Sequence, residues 1–156
     1  MEGSIFNYTP LNYINIMIFI SRSEEETKDI ARNFANNLSL GDVVILTGDL
    51  GSGKTTFAKG ICSFFGIDES EVSSPSFTIL NIYASEKIKI YHFDFYRIEK
   101  PDYSDVDSFL EFLYDEKVIK IVEWNKLELD PKFKVISVEI RHVSDNVREI
   151  EVLTLK

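Results

Sequence analysis

No stretch constrains this chain more than Gly48-Asp49-Leu50-Gly51-Ser52-Gly53-Lys54-Thr55, which fits the spacing G-x-x-x-x-G-K-[ST] of a phosphate-binding loop. Glycine at these places lets the backbone turn with positive φ and come close to an anion. Loop amides at Gly51, Ser52 and Gly53 then point inward as a nest for phosphate oxygens. Lys54 adds a positive charge suited to the β- and γ-phosphates, and the Thr55 hydroxyl is placed to ligate Mg²⁺. A helix starting here would aim its positive dipole end at the same anion.

The flanks agree with the loop. Val43-Val44-Ile45-Leu46-Thr47 is a short apolar, β-branched run of the kind buried in parallel sheets. From Thr55 to Phe65, Phe57, Ile61, Phe64 and Phe65 recur near helical spacing, and Gly66 stands where a helix end favours a left-handed residue. Strand, loop and helix therefore follow in the order an α/β nucleotide-binding fold requires.

At 156 residues, one domain with one substantial core is expected. Residues 1–16 are poorly patterned and read as an N-terminal extension, leaving 17–156 as the domain. A formal net charge of −9 argues against this chain gripping a nucleic-acid backbone alone, since such grip rests on Lys and Arg. Cys62 is the only cysteine, so no internal disulfide is available, and its place on the helix after the loop suggests a small buried side chain. The apolar run Ile14–Ile20 is too short to span a bilayer. No basic residue precedes it, as a signal peptide would need, so a cytoplasmic protein is expected.

In chain order, Met17–Ile20 reads as a strand. Ser23 and Glu26 form a capping box for a helix to about Leu38, with Thr27, Ile30, Ala31, Phe34 and Leu38 as its buried stripe. Ile79–Tyr83 and Lys87–Phe93 read as a hairpin, 101–113 as a helix with Val106, Phe109, Leu110 and Leu113 inward, and Val118–Val122 as a further strand. Phe133–Arg141 and Val147–Leu155 form a second hairpin, turned by Ser144-Asp145-Asn146.

Three acidic or hydroxyl-bearing places could complete a phosphate site. Hydroxyls on the proline-held loop Val72–Thr78, Ser76 and Thr78 among them, can reach Mg²⁺ or a γ-phosphate, or can serve as local turn formers. Asp94 after one strand is a candidate Mg²⁺-side carboxylate or a turn former. Glu123 at the end of an apolar strand stands where a carboxylate holds Mg²⁺ through water or orients an attacking water; a solvated strand end is its plain alternative.

Four segments together resemble one family: Gly48 to Phe57, Ser74-Pro75-Ser76-Phe77-Thr78, Tyr91-His92-Phe93-Asp94-Phe95-Tyr96-Arg97, and Val122-Glu123-Trp124. In order and spacing they are similar to the bacterial tRNA threonylcarbamoyladenosine biosynthesis ATPases (TsaE, also called the YjeE family), over roughly Met17 to Leu155. That resemblance implies a P-loop fold with a partly parallel central sheet and flanking antiparallel strands. It implies slow, Mg²⁺-dependent ATP hydrolysis that drives turnover of a TsaB–TsaD pair modifying adenosine 37 of tRNA, with ADP released. By the same resemblance Lys54 and Thr55 keep their roles, Thr56 contacts the α-phosphate, Ser76 and Thr78 lie on a switch-like loop, Asp94 and Glu123 are the functional carboxylates, and Glu24 lies near the nucleoside. Asn125 stands where the family often has proline, Ser73 where lysine is common, and Asp105–Tyr114 follows the pattern loosely.

Two other classes fit a phosphate-binding loop: a small kinase of a nucleoside or metabolite, and a module that only senses ATP. Kinases of this type usually close an Arg-bearing lid over the phosphates. Here the arginines are scattered at 22, 32, 97, 141 and 148, with no lid segment evident.

Overall fold

The computed structural model describes residues 14–98, 103–125 and 127–155. Seven strands form one sheet: β1 (Ile14–Ser21), β2 (Val43–Thr47), β3 (Leu80–Ala84), β4 (Lys89–Asp94), β5 (Ile119–Glu123), β6 (Val135–Ser144) and β7 (Val147–Leu155). Their spatial order is β1-β7-β6-β2-β5-β4-β3. The four central strands β6, β2, β5 and β4 run parallel; β3 pairs antiparallel with β4 at one edge, β7 antiparallel with β6 at the other, and β1 antiparallel with β7 outside it. Among the described residues three α-helices accompany the sheet, α1 (Glu24–Ala35), α2 (Lys54–Phe64) and α3 (Tyr103–Leu113), with a short 3-10 turn at Glu69–Glu71.

The alternation of side chains explains the layers. On β2, Val44 and Leu46 face one way and pack with Phe57, Ala58 and Ile61 of α2 and Ala31 and Ala35 of α1. Val43 faces the other way, with Tyr91, Phe93 and Val122, against Leu113, Phe109 and Leu110 of α3. β5 is buried along its whole length, as expected of a central parallel strand covered on both faces. Phe57 is fully buried, a contribution of about 1.5–3 kcal/mol from apolar burial. The two helices on the first face approach closely at Gly60, where a Cβ would overlap Ala31 Cβ and meet the Lys28 carbonyl oxygen at 2.7 Å.

Several boundaries differ from the sequence reading. β1 begins at Ile14, so Ile14, Asn15 and Ile16 belong to the sheet rather than to an extension; the pairing partner β7 continues in register from Arg148 to Leu155 and supplies the backbone bonds. The rest of the expected extension, 1–13, lies outside the described residues. α1 ends at Ala35, because Asn37 and Leu38 donate to Phe34 and Ala35 in a tightened last turn, where consecutive asparagines are poor helix formers. Leu38 still packs on the core, and the expected inward stripe is intact.

Ile79 is not a strand residue. It takes φ +70°, donating to the Pro75 carbonyl and accepting from the Asp94 amide, so β3 starts one residue later. The second hairpin turns over Asp145-Asn146 alone, since Ser144 pairs with Val147. The helix start expected at Pro101 and Asp102, and the side chain of Val106, lie outside what the structure describes. Cys62 is buried, and burial pushes its thiol up to about 12, so it is an inert core residue.

Candidate functional site

β2 ends at Thr47 and hands the chain directly to Gly48–Thr55. At Gly48 a Cβ would overlap both Ser52 Oγ and the Ile140 carbonyl, so the loop folds tightly against β6 only with glycine there. Gly53 caps α2 with φ 115°, a left-handed conformation that favours glycine. The Lys54 ammonium, buried apart from 6 % of its surface, donates to the carbonyls of Gly48 at 2.6 Å and Asp49 at 3.0 Å. It also lies 4.8 Å from the Trp124 ring centre. Burial pushes its pKa below the ordinary lysine value, and Glu123, Asp94 and Asp49 pull it back up.

The parallel register brings the acidic groups to this loop. Asp94 and Glu123 are direct partners at the C-terminal ends of β4 and β5, and Glu123 is also opposite Leu46 of β2. Ligand sites of open α/β sheets lie at these strand ends. Both carboxylates are buried, Asp94 at 3 % and Glu123 at 2 % exposure. Buried carboxylates require partners, and each has them. Asp94 accepts from the Ser74 hydroxyl at 3.0 Å and the Tyr96 amide at 2.8 Å. Glu123 accepts from His92 Nε2 at 2.6 Å.

These groups line one cleft of ≈ 350 Å³. Lys54, Thr55 and Thr56 of the loop and α2 line it together with Asp94 and Glu123, and with Ser74, Ser76, Tyr96 and Trp124. An adjoining depression is formed by Glu24, Ser23, Gly51, Gly53, Thr56 and Arg148. Glu24 therefore lies beside the loop from a different helix. Arg148 of β7 braces the loop by donating from Nε to the Ser52 carbonyl at 2.8 Å.

Two expected site residues point elsewhere. The Ser52 amide donates to the Asp49 carbonyl, and Ser52 borders a separate cleft with Thr47, Asp49 and Trp124; its buried hydroxyl has no partner among the described residues. Thr78 is exposed, and its hydroxyl donates to Asn81. Ser74, by contrast, was read only as one hydroxyl of the loop, yet it grips Asp94. The Thr78 bond is local to the loop, and the Ser74 bond ties the loop to the end of β4.

Sequence reasoning also missed His92, Tyr96 and Arg148 as site residues, and gave Trp124 no role beyond its place in the Val122-Glu123-Trp124 segment. Trp124 adopts φ 55° immediately after Glu123. Non-glycine residues in that region mark strained positions that cluster at functional sites. Asn125 is tied to the turn that follows β5. Its side chain accepts from the Leu127 amide at 3.2 Å and donates to the Leu127 carbonyl at 3.1 Å, fixing the turn after β5.

The donors facing the cleft are all oxygens: Thr55 hydroxyl, Asp94, Glu123 and the loop hydroxyls. Such a set suits a hard cation that keeps water and takes further ligands from phosphate, as Mg²⁺ does. Among the described residues no group of three His, Cys, Asp or Glu side chains forms a metal cage by itself, and a shared Mg²⁺ does not need one. No helix of the described residues is long and apolar enough to cross a membrane.

Comparison with known proteins places this arrangement. The profile of the family described as "Threonylcarbamoyl adenosine biosynthesis protein TsaE" matches residues 21–150. A Bacillus subtilis protein named tRNA threonylcarbamoyladenosine biosynthesis protein TsaE is 41 % identical over 128 residues, covering 81 % of this chain and 78 % of that one. The protein of the same name from Aquifex aeolicus is 37 % identical over 134 residues, 85 % of this chain and 92 % of its own. Among solved structures, Bacillus subtilis YdiB superposes with a TM-score of 0.71 at 28 % identity, covering 92 % of this chain and 88 % of that one. The fold is the P-loop fold of that neighbour.

Proposed function

Since the chain belongs to the TsaE family of threonylcarbamoyl adenosine biosynthesis proteins, we propose that it is the Mg²⁺-dependent ATPase subunit of the machinery that makes N6-threonylcarbamoyladenosine at position 37 of tRNA. One observation carries the ATPase reading: Lys54 and Thr55 line a single cleft together with the partnered carboxylates Asp94 and Glu123. That is the division of parts phosphoryl transfer needs, a positive cradle for the β- and γ-phosphates together with acidic groups that position cation and water.

In this reading the amides of Gly51 and Gly53 and the N-terminus of α2 hold the phosphates, with Lys54 as their charged partner. Thr55, Asp94 and Glu123 are the residues that would hold Mg²⁺, which supplies neutralisation of charge on the β- and γ-phosphate oxygens. Asp94 and Glu123 also face the attacking water. The water oxygen joins the γ-phosphorus, the bond to the bridging oxygen breaks, and ADP and phosphate leave. Glu24 reaches toward the nucleoside from its depression beside Gly51.

Two features support action with the TsaB–TsaD pair. Leu50 and Phe77 beside the cleft are 70 % and 80 % exposed, an apolar rim suited to a partner surface. A net charge of −9 favours docking on a basic surface built for tRNA over binding tRNA directly. The arginines give a kinase lid no support: Arg148 braces the loop, Arg141 is held among Glu139, Glu149 and Glu151, and Arg97 stacks 4.2 Å over Phe77.

The test is phosphate release from ATP by the chain alone and with TsaB–TsaD, alongside titration of that pair with ATP or ADP at low and moderate salt, tRNA competing. Expected are slow release alone, ATP-dependent association weakened by salt, and displacement by tRNA. Tight tRNA binding by the chain alone, or association indifferent to nucleotide, overturns the partner reading.

A further inference from the structure

A chain of hydrogen bonds, buried at His92 and part-buried where it reaches Ser73, leads from Glu123 out to the loop 72–78. His92, fully buried on β4, faces Glu123 with Nε2 at 2.6 Å and the Tyr83 hydroxyl with Nδ1 at 3.0 Å. The Tyr83 hydroxyl, on the neighbouring strand β3, donates to the Ser73 carbonyl at 2.9 Å and lies 3.3 Å from the Ser73 amide. Asn81 donates to the same Ser73 carbonyl at 3.2 Å. The next residue along, Ser74, grips Asp94.

Each link is held by the sheet. His92 sits opposite Asn81 in the β3–β4 register and opposite Ile121 in the β4–β5 register, between Glu123 on one neighbour and Tyr83 on the other. Buried polar groups must be paired, and a fully paired network fixes one geometry more firmly than its separate bonds. His92 is the only group that touches both the carboxylate and the tyrosine in this chain of contacts. Its imidazole is rigid, so moving one end moves the other.

We propose that His92 is a positioning residue that aims Glu123 into the cleft and, through Tyr83, locks that aim to the position of the Ser73–Thr78 loop. The inference rests on the ATPase reading for its rate consequence. The mechanical link between Glu123 and the loop stands without it. A displacement of the loop by nucleotide or partner would then re-aim Glu123, and a change at Glu123 would be felt at Ser73 although the two do not touch.

The experiment uses the full chain with four variants: His92→Asn, which removes the Glu123 partner; His92→Gln, which keeps an amide at the Nε2 end; Tyr83→Phe; and Glu123→Ala. Circular dichroism and thermal melts establish folding. Hydrogen exchange of the 73–78 amides, without nucleotide, is the first readout. Glu123→Ala and His92→Asn are expected to raise it at least about threefold, which reports a lower local opening energy. Unchanged exchange in folded Glu123→Ala overturns the link.

Steady-state hydrolysis is the second readout. His92→Asn should lower kcat at least about tenfold while KM for MgATP stays within about threefold, the pattern of a lost transition-state interaction. His92→Gln should regain part of that kcat, and adding Tyr83→Phe to His92→Asn should cost little more, since both act on one chain of contacts. Equal damage to kcat and KM, no rescue by His92→Gln, or additive losses overturn the positioning role. A wild-type chain that releases no phosphate, alone or with TsaB–TsaD, fails the ATPase reading instead, and the exchange readout still judges the link.

Discussion

The Lys54 ammonium lies 4.8 Å from the centre of the Trp124 ring, joining the loop after β2 to the strand end after β5. Trp124 is the only tryptophan in the chain, so the ammonium of the loop sits on the molecule's single indole.

That contact yields the first prediction. ATP or ADP binding should shift the tryptophan fluorescence, because Lys54 must leave the Gly48 and Asp49 carbonyls to meet phosphate. Lys54→Ala should weaken ATP binding at least about tenfold, about 1.4 kcal/mol, and abolish hydrolysis. Its circular dichroism should remain native, since Phe57, Ala58 and Ile61 hold α2 on the sheet. Fluorescence titration and phosphate release check this, and normal turnover by the variant would remove Lys54 from the site.

The two carboxylates should separate chemistry from binding. Asp94→Ala and Glu123→Ala are each expected to cut hydrolysis at least about tenfold, about 1.4 kcal/mol of barrier. ATP binding should persist in at least one of them, because the loop amides and Lys54 remain. Phosphate release paired with the fluorescence titration reads both. Normal hydrolysis in both variants would place the acidic half of the site elsewhere.

Packing of α1 on α2 depends on the missing side chain of Gly60. Gly60→Ala puts a methyl group onto Ala31 and the Lys28 carbonyl, neither of which can rotate away. Overpacking of this kind costs about 1–3 kcal/mol, outweighing the helix-propensity gain of up to about 1 kcal/mol. Chemical denaturation should show a lower midpoint, and an unchanged or raised midpoint would mean the helices shift apart freely.

Lys120 supplies a pH dependence. It is fully buried in β5, donates to the Asp115 carbonyl at 2.6 Å and lies 3.8 Å over the Phe133 ring. Burial pushes its pKa down to about 8 from 10.5, against the raising pull of Asp115, Asp42 and Glu116. Between those two values the folded chain binds fewer protons than the unfolded one, so this group makes stability rise with pH from about 8 to about 10.5. Lys120→Met removes the term. The stability of the wild type relative to the variant should therefore grow across that window in urea melts, and a constant difference would show that Lys120 titrates as an exposed lysine does.

Periodicity and motif spacing alone determined the strand before the loop, the loop itself, the helix after it, and the order of the remaining elements. Those features are local: a β-branched run, glycines at fixed offsets and an apolar stripe each act within a dozen residues. Sequence also marked Lys54, Thr55, Asp94 and Glu123, because charged or hydroxyl groups at strand ends are conspicuous. Their assembly was decided only by the sheet. β4 and β5 are far apart in sequence from β2, and it is parallel pairing that makes Asp94 and Glu123 partners and brings them to the end of β2, into the cleft that Lys54 lines. His92 and Tyr83 were unreadable for the same reason. Each looks like an ordinary member of its strand until the register places one beside Glu123 and the other beside Ser73. Lys120 shows the converse: a lysine in an apolar run gives no sign of burial until Asp115 and Phe133 fold over it, since a side chain's surroundings are set by elements distant in the chain.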